Sequence, residues 1–195
     1  MRIVLATRNT GKIVELRRIL DGFEVVGLEE FPEIGEVAET GLTFAENALL
    51  KAHAVAQGSG LPAVADDSGL CVDALNGMPG VFSARWSGKH GDDDANLDLL
   101  LAQVSDVPDA RRTGRFVCAA ALALPSGEER VVEGELTGRL LRERRGSNGF
   151  GYDPIFVPDG ESRTTAQMDP AEKDAISHRG RAFRALAPIV AAVLS

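Results

Sequence analysis

An apolar segment that passes directly into an amphipathic helical pattern constrains the fold of this chain more than any other feature. Residues 1–6 are apolar apart from one arginine, which predicts a buried β-strand. Residues 11–20 follow with Ile13, Leu16 and Leu20 on one side, the spacing of a helix that packs on a sheet. A strand followed at once by such a helix is typical of α/β proteins.

The rest of the chain continues this alternation and also contains a predicted β-hairpin. We find no internal repeat, low-complexity tract or linker. The sequence therefore predicts an α/β fold, an elongated mixed sheet with flanking helices, and two lobes around a central cleft. The predicted strands are residues 23–28, 61–65 and 70–74, the hairpin is residues 115–124 with 130–136, and the helices are residues 43–57, 92–104 and 177–194.

Composition and charge exclude several classes of protein. The formal net charge of −8 argues against duplex nucleic acid as a partner, because its binding usually requires a basic face on the protein. No segment approaches the roughly 20 apolar residues of a membrane span, and no signal peptide precedes the first strand, so we expect a cytoplasmic protein. Cys71 and Cys118 form no CxxC motif, and we expect both to be buried, reduced thiols rather than zinc ligands.

The polar loop between the first strand and its helix is a candidate phosphate site. It lacks the first glycine and the final Ser/Thr of a Walker A motif, because Ala6 and Ile13 occupy those positions. A helix N-terminus nevertheless offers unpaired N–H groups and a positive dipole end, and Lys12 adds a charge. Taken alone, the loop fits a phosphate cradle and an ordinary polar turn equally well.

Acidic residues supply candidates for metal binding and proton transfer. Asp66 and Asp67 follow a predicted strand, where adjacent carboxylates could bind Mg²⁺ and accept a proton from water. The same Asp-Asp-Ser-Gly segment also suits a simple turn. Glu46 has the position of a helix-capping residue, which leaves Glu39 available for a metal. Lys51 fits either a polar site face or a solvated surface.

The second half of the chain contains a candidate site for an aromatic base. Phe150 lies in a glycine-rich loop with Asp153. The loop is either a turn with an aromatic plug in the core or a face for stacking a base, with Asp153 as a hydrogen-bond acceptor. His178 and Arg179 stand at a predicted helix start, where they offer hydrogen-bond donors or are merely exposed.

Together these motifs resemble one family. The segments ATRNTGK, ETGLTFAENALLKA, ADDSGLCVDALNGMPGVFSAR, GFGYDPIF and EKDAISHRGRAF are similar to the inosine triphosphate pyrophosphatases, also called non-canonical purine NTP or dITP/XTP pyrophosphatases. The motifs occur in the family's order and span nearly the whole chain. The resemblance therefore implies that residues 1–195 form a single nucleotide pyrophosphatase domain with a nucleotide in the central cleft.

The resemblance implies Mg²⁺-dependent hydrolysis of ITP, dITP and XTP to the monophosphate and pyrophosphate, which would cleanse the nucleotide pool, and a homodimer. Asp67 would be the catalytic base, and Asp67 and Glu39 would bind the metal, with Asp66 as an alternative that either binds it directly or supports its ligands. Many relatives carry a second acid just before the position of Glu39, where this chain has Ala38. The implied substrate-binding residues are Thr7, Arg8, Asn9, Thr10, Gly11, Lys12, Lys51, Ser68, Phe150, Gly151, Tyr152, Asp153, Lys173, His178 and Arg179.

Three other functions stay compatible with parts of the sequence. One is a pyrophosphatase for other modified nucleotides, and another is a non-catalytic nucleotide-sensing domain. The third is an α/β interaction module in which the polar loops are only turns. The acidic pair and Lys12 disfavour a sensor, which needs no base, and the combined motifs disfavour the interaction module.

Overall fold

The computed structural model describes residues 2–8, 13, 16–17, 19–20 and 22–194. Within the segment predicted as the first helix, the described residues Ile13, Leu16, Arg17 and Ile19 are helical. The strands are β1 (Arg2–Leu5), β2 (Glu24–Val26), β3 (Ala63–Val72), β4 (Thr113–Ala123), β5 (Glu129–Leu140) and β6 (Phe156–Pro158). The longer helices are α1 (Phe44–Ser59), α2 (Asp93–Gln103), α3 (Pro170–Ile176) and α4 (His178–Leu194).

The described strands form one six-stranded mixed sheet in the order β2-β1-β3-β4-β5-β6. Strand β1 pairs in parallel with both β2 and β3, with Val4 opposite Val26 and Ala63. Strand β5 pairs antiparallel with β6. The predicted α/β fold, with a mixed sheet and flanking helices, is confirmed. The elongation and the central cleft stay predictions.

The segment around the acidic pair differs from its prediction. We expected two short strands separated by a turn at residues 66–69, whereas β3 is a single extended strand through these positions. Most of the strand is buried, and both aspartates have ionic partners that satisfy their carboxylates without a turn. Because successive side chains of a strand point to opposite faces, Asp66 and Asp67 lie on different sides of the sheet.

Helix α3 was not predicted, although its start has a recognisable local sequence. Asp169 is the N-cap and forms a capping box with Glu172, and Pro170 occupies the first turn. The helix has only seven residues, which is too short to show a clear apolar period.

Two compact units make up the chain, and each has its own hydrophobic core. The first unit comprises Met1–Asp67, Cys118–Gly134 and His178–Ser195, and the second comprises Ser68–Val117 and Glu135–Ser177. The first core includes the buried residues Ile3, Leu5, Leu16, Leu20, Val64, Cys118, Leu122, Phe183 and Leu186. The second core includes the buried residues Leu70, Val72, Leu97, Leu100, Phe116, Leu136, Tyr152, Ile155 and Phe156.

Two further expectations concern cysteines and membranes. Cys71 and Cys118 are both free and buried, as predicted. Among the described residues, no helix combines the length and the apolar character that crossing a bilayer requires.

Candidate active site

The first turn of α1 is fixed by its own side chains. Thr43 is the N-cap, and its hydroxyl accepts the backbone N–H of Glu46 at 3.1 Å. The carboxylate of Glu46 accepts the N–H of Leu42 at 2.6 Å, so Glu46 serves the helix start as predicted. This cap sets the position of the next turn, which carries Asn47 and Lys51 on one side of the helix.

A close backbone approach fixes the amide of Asn47. The N–H of Gly41 donates to Asn47 Oδ1 at 2.8 Å, and the Asn47 side chain is fully buried. A Cβ atom at position 41 would lie 2.6 Å from the Glu46 Cβ and 2.8 Å from Asn47 Oδ1. The loop before α1 can therefore approach the helix in this way only with a glycine at this position.

Asp67 is held by two side chains of α1. Asn47 Nδ2 donates to Asp67 Oδ2 at 3.1 Å, and Lys51 Nζ lies 3.1 Å from Asp67 Oδ1. The same ammonium group donates to Glu39 Oε1 at 2.8 Å. We call Glu39, Asn47, Lys51 and Asp67 the acid–lysine cluster, and all four belong to the first unit.

Burial and neighbouring charges shift the pKa values of both Asp67 and Lys51. Burial raises the pKa of Asp67, and the neighbouring Glu39 raises it further, while Lys51 and Asn47 act in the opposite direction. Burial alone would lower the pKa of Lys51, but the negative charges of Asp67, Asp66 and Glu39 outweigh it and raise that pKa. The cluster therefore holds an ammonium group between carboxylates, one of which is a stronger base than usual.

The donor set of the cluster suits a hard divalent cation. Two carboxylates converge on one ammonium group, and carboxylate oxygens are the ligands that Mg²⁺ prefers. In the part of the chain that is described, no group of three or more histidine, cysteine or acidic side chains is arranged to hold a metal. A cation bound by Glu39 and Asp67 would thus need water or substrate oxygens as its remaining ligands.

Asp66 has a different partner from Asp67. Its Oδ2 atom accepts from Arg179 Nε at 3.2 Å, and both side chains are buried. Arg179 stands in the first turn of α4 beside His178, which is also buried. The ion pair therefore fixes the start of α4 beside β3, and no sequence motif indicated this pairing.

The predicted phosphate loop is only partly described. The N–H of Ala6 donates to the Val64 carbonyl at 2.8 Å, which brings the end of β1 beside β3. Thr7 is half-buried, and exposed Arg8 donates to the Ile34 carbonyl at 2.7 Å. The remaining predicted loop residues, Asn9, Thr10, Gly11 and Lys12, lie outside the described residues. Ser68 follows Asp67 in β3 and is half-buried.

In the second unit, the structure brings Phe150, Asp153 and Lys173 together. Phe150 is 53% exposed, and Lys173 Nζ lies 5.0 Å from the centroid of its ring. Lys173 also forms an ion pair with the buried carboxylate of Asp153. The core plug is instead Tyr152, whose hydroxyl donates to the Ser83 carbonyl at 2.9 Å. A substrate contact from Tyr152 would therefore come from its backbone, as would one from Gly151.

Asn47 belongs to the acid–lysine cluster but was not among the site residues predicted from the sequence. The signal was present, because Asn47 lies one helical turn before Lys51 on the same polar side. Its contact with Asp67 joins residues 20 positions apart, and local pattern does not reveal such a contact.

Comparison with known proteins identifies the family. The Ham1 family model matches residues 3–189. A dITP/XTP pyrophosphatase of Streptomyces coelicolor is 64% identical over 99% of this chain and 98% of its own length. The crystal structure of a nucleoside-triphosphatase / dITP/XTP pyrophosphatase from Mycobacterium abscessus is 60% identical, with a TM-score of 0.81 over 96% of this chain and 100% of that one.

A third comparison extends the match to a more distant sequence. The structure of the Staphylococcus aureus Ham1 protein is 39% identical, with a TM-score of 0.90 over 98% of this chain and 99% of that one. The family expected from the motifs is thereby confirmed, and this chain belongs to the Ham1 family.

Proposed function

We propose that this protein hydrolyses non-canonical purine nucleoside triphosphates, namely ITP, dITP and XTP, to the monophosphate and pyrophosphate. The observation that carries the proposal is the buried carboxylate of Asp67, held between Lys51 and Asn47 beside a second acid, Glu39. The names of the relatives from Streptomyces coelicolor and Mycobacterium abscessus support the same substrate class.

In this proposal Asp67 is the general base. It accepts a proton from the attacking water as the new phosphorus–oxygen bond forms and the bond between the α- and β-phosphates breaks. Burial raises the pKa of Asp67, while the Lys51 ammonium group and the Asn47 amide act in the opposite direction. Asn47 donates to Asp67 Oδ2 and thereby fixes the orientation of the Asp67 carboxylate.

We assign Glu39 and Asp67 to a Mg²⁺ ion, with water and phosphate oxygens completing its ligands. When bound, the ion would offset the phosphate charge and lower the pKa of the attacking water. Lys51 would place a positive charge near the leaving pyrophosphate. The N–H groups and the Lys12 side chain of the loop of residues 7–12 would stabilise the same negative charge. Ser68 contacts the substrate beside the base.

Base recognition would need an aromatic face for stacking and hydrogen-bond donors for the edge of the base. Exposed Phe150 offers a face for stacking, and Lys173 and Asp153 lie beside it. His178 or Arg179 would donate to the 6-oxo group of hypoxanthine or xanthine. Adenine presents an amino group there, and leaving a buried donor unpaired costs about 1–3 kcal/mol. Guanine shares the 6-oxo group, so discrimination against GTP would come from contacts near the 2-position of the base.

The proposal includes a cellular role and an assembly. The enzyme would remove deaminated purine triphosphates from the nucleotide pool before polymerases insert them. We propose that it does so in the cytoplasm. We also propose a homodimer, as implied by the resemblance of the motifs to the family. Light scattering of the purified protein measures the mass of the particle directly, and a mass near 20.7 kDa would contradict the dimer.

Pyrophosphate release from ITP, dITP, XTP, GTP and ATP, each with and without Mg²⁺, tests the function. We expect release from the first three in the presence of Mg²⁺ and little release from GTP or ATP. Tight binding of ITP without release would instead indicate a sensing domain. Equal rates for all five nucleotides would contradict the proposed selectivity.

A further inference from the structure

Two carboxylates hold the backbone around Phe150. The N–H of Phe150 donates to Asp153 Oδ2 at 2.9 Å. The N–H of the next residue, Gly151, donates to Asp93 Oδ2, also at 2.9 Å. Asp93 is the first residue of α2, whereas Asp153 begins a short 3-10 helix. Two successive amide groups are thus fixed by two elements of the same unit.

The carboxylate of Asp153 is itself fixed on both oxygens. The hydroxyl of Thr165 donates to Asp153 Oδ1 at 2.7 Å, and the Lys173 ammonium group bonds to Oδ2. Asp153 is only 3% exposed and Thr165 is buried as well. A carboxylate surrounded by these donors has little surface left for a ligand, so its effect is exerted on the loop that it holds.

The chain at Gly149 is shaped to this carboxylate. Gly149 has a φ of +75°, a conformation that side chains disfavour, and a Cβ atom there would overlap the Asp153 carboxylate. This close approach lets the next N–H, that of Phe150, reach Asp153. Lys173 completes the arrangement, since the ammonium group that pairs with Asp153 also faces the Phe150 ring.

We infer that Asp153, Asp93 and Thr165 are positioning residues that hold the Phe150 ring ready for a purine base. The inference rests on the proposed function, in which that ring stacks on the base. It assigns Asp153 a role through the loop, in place of the direct acceptor contact expected from the sequence. A ring that is already ordered loses less conformational freedom when the base binds, so the three residues increase affinity for the nucleotide.

Two pairs of variants separate positioning from general damage. Thr165→Val removes the hydroxyl while keeping the shape, and Thr165→Ser restores the hydroxyl. Asp93→Ala removes the acceptor for Gly151, and Asp94→Ala is its control. Asp94 lies in the same helical turn but pairs with Arg144, so both alanine variants lose one acidic residue at the helix start.

The first readout is amide hydrogen exchange, which does not depend on any substrate. We expect Asp93→Ala to accelerate exchange at Gly151 by about tenfold, the effect of losing one hydrogen bond. Thr165→Val should accelerate exchange at Phe150 by about threefold, because the Phe150 N–H keeps its acceptor while the Asp153 carboxylate loses the Thr165 hydroxyl that holds it. Amides of the core strand β4 serve as the internal reference. Unchanged exchange at both positions would overturn the inference, whatever the enzyme does.

The second readout is the KM for ITP, with inhibition by inorganic tripolyphosphate as a probe that lacks a base. We expect Thr165→Val and Asp93→Ala to raise this KM about fivefold, to change kcat by less than about twofold, and to leave tripolyphosphate inhibition unaltered. KM values equal to those of Thr165→Ser and Asp94→Ala would overturn the inference. If the wild-type protein releases no pyrophosphate from any nucleotide, the proposed function fails instead, and the exchange data decide the positioning role alone.

Discussion

The ammonium group of Lys51 occupies a position between two carboxylates that we expect to bind a divalent cation. It lies 2.8 Å from Glu39 Oε1 and 3.1 Å from Asp67 Oδ1. Lys51→Met should therefore strengthen Mn²⁺ binding by about tenfold, because the buried carboxylate of Asp67 and the half-buried carboxylate of Glu39 then lack a compensating charge and attract a cation more strongly. Electron paramagnetic resonance of free Mn²⁺ in a titration with the protein measures this constant without any turnover.

Lys89→Met is the matched control for the manganese titration. Lys89 also contacts an acid, Asp92 at 3.5 Å, but its side chain is largely exposed. It should leave Mn²⁺ affinity unchanged, since solvent screens an exposed charge. Equal or weaker Mn²⁺ binding by Lys51→Met, with native circular dichroism, would argue against a shared position for the ammonium group and the metal.

Cys71 should be a poor nucleophile near neutral pH. Burial raises the pKa of its thiol, and the nearby Arg115 only partly offsets this. A raised thiol pKa means a smaller thiolate fraction at about pH 8, and the thiolate is the form that alkylates. We expect iodoacetamide to modify Cys71 at less than about one tenth of the rate of glutathione, as followed by peptide mass spectrometry. Modification as fast as that of glutathione in the native protein, without urea, would contradict the buried position.

At the scale of the element, the start of helix α1 determines where the acid–lysine cluster stands. Thr43→Ala removes the side chain that accepts the Glu46 N–H, and it should lower the free energy of unfolding by about 1 kcal/mol. Urea denaturation measures this value, and Thr43→Ser should retain most of the stability because it keeps the hydroxyl. Equal losses in the alanine and serine variants would show that the hydroxyl does not cap the helix.

The elements that local sequence determines were predicted best. Helix α1 carries its own start in Thr43 and Glu46 and its end in Gly60, which adopts the left-handed conformation at the C-cap. Strand β3 was divided wrongly, because two aspartates and a glycine are turn formers when their partners are unknown. Its continuity depends on contacts with α1 and α4 that no local pattern contains.

At the scale of the whole molecule, the sequence predicted the α/β fold and the family, but not the pairing of the charged groups. The motif order was sufficient for the family, and the family model matches residues 3–189. The pairing of Asp66 with Arg179 joins residues 113 positions apart, and that of Asp153 with Lys173 joins residues 20 apart. Such contacts arise when the chain folds, so residue types alone suggest their chemistry without showing which groups meet.

The central claim is that the carboxylate at position 67 activates water for attack on a triphosphate. Comparison of the wild-type protein with Asp67→Asn, using ITP and saturating Mg²⁺, tests it most directly, with exposed Asp159→Asn as the control. We predict that Asp67→Asn lowers kcat at least about 100-fold while calorimetry gives ITP binding within a few-fold of the wild type. A kcat near the wild-type value in Asp67→Asn would contradict the account.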